Sequence, residues 1–344
     1  MYLYTKEIIM KYLYTLLLTF FLFGTVSAQD TFSIIAVDPA TGEVGSAGAS
    51  CVTGVGSQGI IDIITDIIPG RGGVNSQAYV CIPNINLQNA IMRMEMGDSP
   101  TEIIDWLIAN DACGSQNFDP EFRQYGIADF DGNGDPRTAG FTGNMTDDYK
   151  EDRQGANFSI QGNILLNQTV IDNMENNFNN TAGTLADKLM AALQGANFPG
   201  ADQRCLAAGT SSTTAYLLVY KEDDLPGEPY LRLNVGQQPS GTEPIDILQD
   251  LYDNFLALQD NELKARLLLY PNPAKDMITI ERQASLTIES FEIYNVNGKR
   301  VSETISADMN KLKSEINVSN FQSGIYFLRV MSTEGTATLK FVKN

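Results

Sequence analysis

The order of the elements predicted along this chain places it in the α+β class. Through the larger, N-terminal part, pairs of β-branched strand segments alternate with pairs of amphipathic helices. This order suits two stacked antiparallel sheets that are covered by helices on both outer faces, and it does not suit a parallel, doubly wound sheet. After residue 262 the pattern changes to short alternating strands, which predicts a small all-β sandwich.

The first 28 residues have the composition of a secretory signal peptide. Lys11 supplies the positive charge, residues 16–23 form a short apolar core, and Val26, Ser27 and Ala28 make a small-residue cleavage site. We therefore expect the mature chain to begin at Gln29. No later segment approaches the roughly 18 apolar residues that a membrane-spanning helix needs, so the product is expected to be exported and soluble.

Charge and composition exclude several function classes. A formal net charge of -19 and a pI near 4.3 argue against nucleic acid as a partner, because binding to phosphates requires clustered Lys and Arg. The chain contains no histidine, which removes the Ser-His-Asp and Cys-His catalytic arrangements and argues against a zinc enzyme. Any catalysis must therefore use another base, and we predict no cofactor and no metal.

The cysteines indicate disulfide bonds. All four precede the C-terminal region, and an even number in an exported protein is typical of two structural disulfides, with three possible pairings left open. The alternative is a reactive thiol, for which Cys51 is the candidate because it closes a strand-like segment. The candidates for pairing are Cys51, Cys81, Cys113 and Cys205.

The first domain is predicted to open with a β-hairpin, formed by residues 31–37 and 43–51 around the turn sequence DPATG. A further strand is expected over residues 73–82, whereas IIDIITDII at 60–68 combines helical spacing with strand-like composition and is left unassigned. Two helices follow. The first covers residues 87–96, and the second begins at an N-cap, first-turn proline and capping-box glutamate supplied by Ser99, Pro100 and Glu102.

The later elements repeat this alternation. The acidic stretch 259–262 is interpreted as a linker, so the predicted domains are the signal peptide 1–28, an α+β domain 29–262 and a β-sandwich 263–344. Within the α+β domain, strands are predicted at 125–130, 138–142, 158–165, 213–220 and 230–235, and helices at 169–178, 185–193 and 243–258.

A motif rich in Asp, Asn and Gly resembles the first half of a calcium-binding loop. Its oxygen ligands would be the alternating residues Asp129, Asp131, Asn133 and Asp135. The twelfth position is Gly140 instead of the bidentate glutamate, and the flanking segments are strand-like. The favoured interpretation is therefore a hairpin turn, with calcium binding as the weaker alternative.

The α+β domain contains several short motifs in a fixed order. They are TFSIIAVDP at 31–39, TGEVG at 41–45, RQYGIAD at 123–129, FTG at 141–143, SIQGN at 159–163 and DQR at 202–204. Together they resemble a domain of unknown function, the 1028 family, which is described as N-terminal nucleophile (Ntn) hydrolase-like. The resemblance covers residues 31–258. It implies a four-layer αββα sandwich in which a residue at the start of the first strand attacks an amide.

By this resemblance Thr31 is the candidate nucleophile, with its own free α-amino group as the base. Asn163 and Gly162 are the candidate oxyanion donors, the alternative being a plain turn after a strand. Asn75, Gln77 and Arg204 are weaker candidates for substrate binding. This chain departs from the family pattern because Gln29 and Asp30 precede Thr31 after signal cleavage, and without further trimming Thr31 is an ordinary strand residue.

The C-terminal region contains four motifs, which are YPNPAK at 270–275, IYNVNGK at 293–299, GIYFLRV at 324–330 and KFVK at 340–343. With these motifs it resembles the type A sorting domain of the type IX (Por) secretion system. The resemblance implies passage across a bacterial outer membrane to the cell surface or medium, with the secretion machinery as partner. A carbohydrate-binding module is the alternative, but we identify no aromatic platform.

Together these features predict an exported Ntn-type hydrolase that acts on a small amide or peptide bond. The alternative is a non-catalytic binding or structural protein that keeps the fold. The substrate and the oligomeric state, including a homo-oligomer, are left open.

Overall fold

The structure is a computed structural model that describes residues 31–308 and 310–344. The predicted signal peptide, residues 1–28, lies outside the described residues. Contacts between Cα atoms divide the chain into a first unit that ends at Gln249 and a second unit, Asp250–Asn344. The predicted domain boundary after residue 262 differs from this division and stays a prediction.

The first unit alternates strands and helices in the predicted order. Its elements are β1 (Phe32–Asp38), β2 (Glu43–Ser50), α1 (Ile61–Ile64), β3 (Thr65–Ile68), β4 (Gly72–Ala78), α2 (Ile85–Glu95), α3 (Pro100–Ala109), β5 (Arg123–Phe130), β6 (Pro136–Thr142), β7 (Glu151–Gln154), β8 (Phe158–Gly162), α4 (Thr169–Asn180), α5 (Leu185–Gly195), β9 (Thr214–Tyr220), β10 (Leu231–Val235) and the start of α6 (Pro244–Ala265).

Two antiparallel sheets form the centre of this unit. The first sheet has the strand order β10-β9-β2-β1-β8-β7 and the second has the order β3-β4-β5-β6. β1 packs against β4 and β5 of the opposite sheet, α4 and α5 pack on the first sheet, and α2 and α3 pack on the second. The mixed class with stacked antiparallel sheets is therefore confirmed.

The space between the two sheets changes character along β1. Toward the C-terminal end of this strand, Ile35 and Val37 pack with Ala128 and Phe130 of β5 in an apolar cluster. Toward its N-terminal end, the inward position is occupied by the fully buried Ser33. Burial of the apolar end stabilises this interface by about 25 cal/mol for each Å² of apolar surface removed from water. The hydrophobic effect does not explain why polar side chains are buried at the other end.

Local signals in the sequence correspond to observed caps and turns. The N-cap Ser99 accepts a hydrogen bond from the Glu102 N–H, and the Glu102 carboxylate accepts one from the Ser99 N–H at 2.8 Å, so the capping box is complete. The opening hairpin pairs Phe32 with Ala49 and Asp38 with Glu43.

The structure resolves the unassigned segment and differs from the sequence prediction in two further segments. Residues 60–68 contain both candidate structures, since α1 makes one turn before β3 begins. β7 was not predicted because its sequence, EDRQ, lacks alternating apolar residues, and it pairs only at the edge of the first sheet. The predicted linker at 259–262 lies inside α6, where Leu263 is 5% exposed and packs into the core of the second unit.

The second unit contains two antiparallel sheets, with strand orders β11-β12-β15 and β14-β13-β16-β17, around one core. Phe291, Leu328 and Phe341 are fully buried in that core. The predicted all-β C-terminal region is therefore confirmed. Its strands are β11 (Leu267–Tyr270), β12 (Met277–Arg282), β13 (Ile288–Asn295), β14 (Ile305–Ser306), β15 (Lys313–Asn317), β16 (Gly324–Ser332) and β17 (Gly335–Lys343).

The outer edge of β17 is covered by side chains and one short segment of the same unit. Asn272 donates to the Lys340 carbonyl at 3.1 Å and accepts from the Val342 N–H at 2.9 Å. The Asp260 carboxylate accepts from the Thr338 N–H at 3.0 Å. The backbone of Ala274 pairs with the last residues of the strand. Such cover protects an edge strand from pairing with another chain.

We expect Asn272→Ala to weaken this edge, because it removes two hydrogen bonds worth about 1–2 kcal/mol together. Hydrogen–deuterium exchange of the full chain should then show protection of the β17 amides falling about five- to thirtyfold. The matched control is Asn320→Ala, an exposed asparagine of the same unit, which should leave β17 unchanged. Equal exchange in both variants would show that Asn272 does not hold the edge.

Candidate functional site

Thr31 lies directly before β1, the strand that pairs with both β2 and β8 in the first sheet. The residue is fully buried. Its N–H donates to Oδ1 of Asn163 at 3.2 Å, and its carbonyl accepts from the Asn163 N–H at 3.2 Å and from Nε2 of Gln77 at 2.9 Å. The main chain of Thr31 is therefore held by one residue from its own sheet and one from the opposite sheet.

Asn163 follows the end of β8, where Gly162 pairs with Phe32. The antiparallel ladder brings the end of β8 beside the start of β1, so Thr31 and Asn163 become neighbours although 132 residues separate them. A Cβ atom on Gly162 would lie 2.8 Å from the Leu165 side chain, so the absence of a side chain lets Leu165 pack there. The structure thus brings together Thr31, Asn163 and Gly162.

Two residues next to this site have backbones in the left-handed region. Ile164 has φ 52° and Ala78 has φ 70°. Residues other than glycine rarely adopt this conformation, which costs about 1–2 kcal/mol for each and most for β-branched side chains. Each directly follows a residue that contacts Thr31, namely Asn163 and Gln77. Strain of this kind often accompanies functional sites because the surroundings must hold it in place.

Arg204 lies near Thr31, at the same end of the central strands of the first sheet. Its guanidinium makes two hydrogen bonds to the buried Asp202 carboxylate, at 2.9 and 2.6 Å, and a longer one of 3.4 Å to Oγ of Ser50. Ser50 follows Ala49, the ladder partner of Phe32, and is therefore across from Thr31. The charge of Arg204 is already matched by Asp202, so binding of a substrate carboxylate there stays a prediction.

A disulfide joins the end of β2 to the segment that carries Arg204. Cys51, directly after β2, is bonded to Cys205 in the short 3₁₀ helix Gln203–Ala208. The other pair is Cys81–Cys113, so one of the three pairings left open by the sequence is selected. The reactive-thiol alternative for Cys51 is wrong because its sulfur is bonded. The first disulfide fixes the helix that carries Arg204 against the end of β2.

The comparisons with known proteins identify both parts of the chain. Residues 31–268 match the model of a family described as a family of unknown function (DUF1028). The chain belongs to this family. Residues 268–344 match the model of the secretion system C-terminal sorting domain. No curated protein matches the chain.

A solved structure agrees with this assignment for the DUF1028 domain. The crystal structure of a DUF1028 protein from Silicibacter pomeroyi is 25% identical, covers 65% of this chain and 88% of its own, and has a TM-score of 0.51. Dimeric latent PorU from Porphyromonas gingivalis is 18% identical over 38% of this chain and 12% of its own. Its TM-score of 0.18 is too low to support an argument.

The sorting domain indicates export to the cell surface or secretion, and it implies interaction with the type IX secretion machinery. Among the described residues, no helix combines the length and the apolar character needed to cross a bilayer.

The Asp-rich motif of the DUF1028 domain forms the turn between β5 and β6. Asp129 is fully buried and bonded to Arg137 at 2.6 and 2.9 Å, and burial raises the pKa of its carboxyl despite this partner. Asp131 accepts the N–H groups of Asp135 and Asn133, which lower the pKa of its carboxyl. In the described part of the chain, no three acidic or cysteine side chains form a group that could hold a metal.

Asn75 and Gln77 both point into the space between the sheets and are fully buried. Asn75 donates to Oγ of Ser33 at 3.0 Å and accepts from Oγ of Ser46 at 2.9 Å. Ser46 also bonds the Tyr216 hydroxyl at 2.9 Å, and burial raises the pKa of that hydroxyl. Contact of Asn75 or Gln77 with a substrate stays a prediction, and their burial favours a role inside the DUF1028 domain.

Sequence reasoning missed four residues of this polar network. Ser33, Ser46, Gln124 and Gln161 are fully buried on strands of the two central sheets, although they are polar. The sequence contained a signal that could have identified these residues, because inward positions of central strands are normally apolar. A polar residue at such a position requires a hydrogen-bonding partner. Here Ser33 and Gln161 bond each other, Gln124 bonds nearby backbone, and Ser46 bonds other buried side chains.

Proposed function

We propose that the DUF1028 domain is an N-terminal nucleophile hydrolase that cleaves a small amide or peptide bond. The nucleophile is Thr31, exposed as the N-terminal residue after Gln29 and Asp30 are removed. The observation that carries the proposal is the position of Thr31 between two sheets, with its nitrogen 3.2 Å from Oδ1 of Asn163. An amide oxygen at that distance is suited to hold a free α-amino group in a fixed direction.

The mechanism requires no histidine, metal or cofactor. A free α-amino group, with an ordinary pKa of about 8, takes the proton from Oγ of Thr31. Oγ then bonds to the substrate carbonyl carbon, and the carbon–nitrogen bond breaks as the amine leaves with that proton. Water cleaves the resulting ester, which releases the acid and restores the hydroxyl.

The oxyanion of the tetrahedral intermediate needs donors that are already oriented. We assign this role to Asn163, through its side-chain amide, and to Gly162, through its main chain. Arg204 is the candidate for binding a substrate carboxylate. The two stacked sheets with helices packed on each support this assignment, because they suit the four-layer αββα sandwich that we propose for the domain. The proposed hydrolase domain covers residues 29–262, and the proposed sorting domain covers residues 263–344.

A non-catalytic protein is the second candidate, and the complete burial of Thr31 favours it. Mass spectrometry of the N-terminus after native secretion separates the two proposals. A start at Thr31 with a free amine supports the hydrolase, whereas a start at Gln29, free or cyclised to pyroglutamate, supports a binding or structural role.

Hydrolysis provides the second test. A chain prepared to begin at Thr31 should cleave members of a library of small N-acyl amides and dipeptides, and its rate should rise as the pH passes through the amine pKa. The same chain beginning at Gln29 is the matched control and should be inactive. If neither chain cleaves any member, the hydrolase proposal fails and the non-catalytic protein remains.

A further inference from the structure

We infer that two buried glutamines, Gln77 and Gln124, are positioning residues that hold Thr31 and Asn163 in place from the opposite sheet. The inference rests on the proposed function for its catalytic meaning, although the positioning itself can be measured without any substrate. Both side chains are fully buried, at the inner face of β4 and β5.

The two glutamines bind backbone carbonyls of the other sheet. Nε2 of Gln77 donates to the Thr31 carbonyl at 2.9 Å and to Oε1 of Gln124 at 2.8 Å. Nε2 of Gln124 donates to the Gly162 carbonyl at 2.9 Å. The Thr31 carbonyl also accepts the Asn163 N–H, and Gly162 directly precedes Asn163. The pair therefore fixes both strand ends that meet at the candidate site.

The hydrogen-bonding capacity of Gln77 is used inside the protein. Its two N–H groups serve the Thr31 carbonyl and Gln124, while Oε1 accepts from Oγ of Ser33 at 2.6 Å. Ser33 accepts in turn from Asn75 at 3.0 Å and from Gln161 at 2.5 Å. The orientation of the Gln77 amide is thus set by several partners at once, which is the condition for a rigid support.

Folding alone does not require these amides. β1 and β8 are already joined by a backbone ladder from Phe32 to Ala36, and the other end of the same interface is apolar. Replacing both partners of a buried hydrogen bond by apolar groups of the same shape is often nearly neutral for stability. A polar network at only one end, beside Thr31, is therefore better explained by a demand for fixed geometry there.

Two glycines make room for the network. A Cβ atom on Gly126 would lie 1.8 Å from Oε1 of Gln161, and one on Gly48 would lie 2.8 Å from the Tyr216 ring. Neither glycine has a positive φ, so the backbone conformation does not demand them. Their role is to leave space for side chains, and Gly126 leaves it for the glutamine that binds Ser33.

The network also accounts for the strained residues. Ala78 and Ile164 keep left-handed backbones directly after Gln77 and Asn163. Such conformations persist only where surrounding contacts determine them. The hydrogen bonds of Gln77 and Asn163 with Thr31 hold the residues that directly precede Ala78 and Ile164.

Nuclear magnetic resonance tests the inference in the full chain prepared to start at Thr31 and labelled with ¹³C-threonine. The Thr31 resonance is identified by its loss in Thr31→Ser. In Gln77→Met, which cannot donate to the Thr31 carbonyl, we expect the Thr31 Cβ resonance to shift and broaden. Gly126→Ala, which displaces Gln161 without touching Gln77, should have the same effect. Gln154→Met, an exposed glutamine on β7, is the control.

The same variants are assayed for esterolysis of p-nitrophenyl acetate. A misplacement of about 1 Å costs about a hundredfold in rate, so kcat should fall by that order while KM changes little. If the resonance moves in both variants but the parent chain hydrolyses nothing, the positioning holds and the proposed function fails. An unchanged Thr31 resonance in both Gln77→Met and Gly126→Ala would overturn the inference. If Gln77→Met does not fold, the Thr31 resonance in Gly126→Ala decides between the two outcomes.

Discussion

Hydrolysis by a chain that begins at Thr31 is expected to fall by at least about a thousandfold when Thr31 is replaced by alanine. The substitution removes the only atom that attacks the substrate in the proposed mechanism, but it keeps the α-amino group and the main-chain contacts with Asn163 and Gln77. The measurement is kcat/KM for a substrate that the unmodified chain cleaves.

Thr31→Ser is the matched control for this substitution. It retains a hydroxyl and loses only a methyl group, so it should keep measurable turnover. Thr31→Ser should also unfold at a urea concentration close to that of the parent chain, because it keeps both the hydroxyl and the main-chain hydrogen bonds of Thr31. Equal rates for Thr31→Ala and the parent chain would exclude Thr31 as the nucleophile.

The largest effect on stability is expected from Asp111→Ala. Asp111 and Arg123 form an ion pair of 2.7 Å in which each side chain is 1% exposed. Arg123 also donates to the carbonyls of Tyr79, Cys113 and Ser115. Removal of the carboxylate leaves a buried guanidinium without its counter-charge. The free energy of unfolding should therefore fall by about 3–5 kcal/mol in urea titrations.

Asp62→Ala provides the comparison for this second prediction. Asp62 pairs with Arg232 at 2.9 Å, but the two side chains are 72% and 39% exposed. Water screens such a pair, so its loss should cost less than about 1 kcal/mol. Similar losses for Asp111→Ala and Asp62→Ala would mean that Arg123 does not depend on Asp111 for its charge balance.

Sequence patterns predicted elements where the signal is contained in one element. The capping box at Ser99, the opening hairpin and the amphipathic helices depend on residues within a few positions of one another. β7 escaped prediction because an edge strand with a polar sequence needs no apolar alternation. Residues 259–262 were interpreted as a linker on their charge, yet the helix continues because Leu263 finds a buried position.

The candidate site was predicted in part. The resemblance to the family singled out Thr31, Gly162 and Asn163, which the structure places side by side, with their catalytic roles still a proposal. Gln77 was a candidate from its position on a predicted strand, whereas Gln124 was not a candidate although it lies within the RQYGIAD motif. Nothing local to either residue reveals that β4 and β5 lie next to each other across from β1.

The sequence alone determined the class of the fold and the presence of paired cysteines, since each depends on composition or on short-range periodicity. Export was indicated by the motifs of the sorting domain. Only the tertiary structure decided which cysteines pair, which buried amides hold Thr31 and where the backbone is strained. The two disulfides join cysteines that are 32 and 154 positions apart, and Gln77 and Thr31 are 46 positions apart. Contacts over such separations follow from strand order and register, which local patterns do not encode.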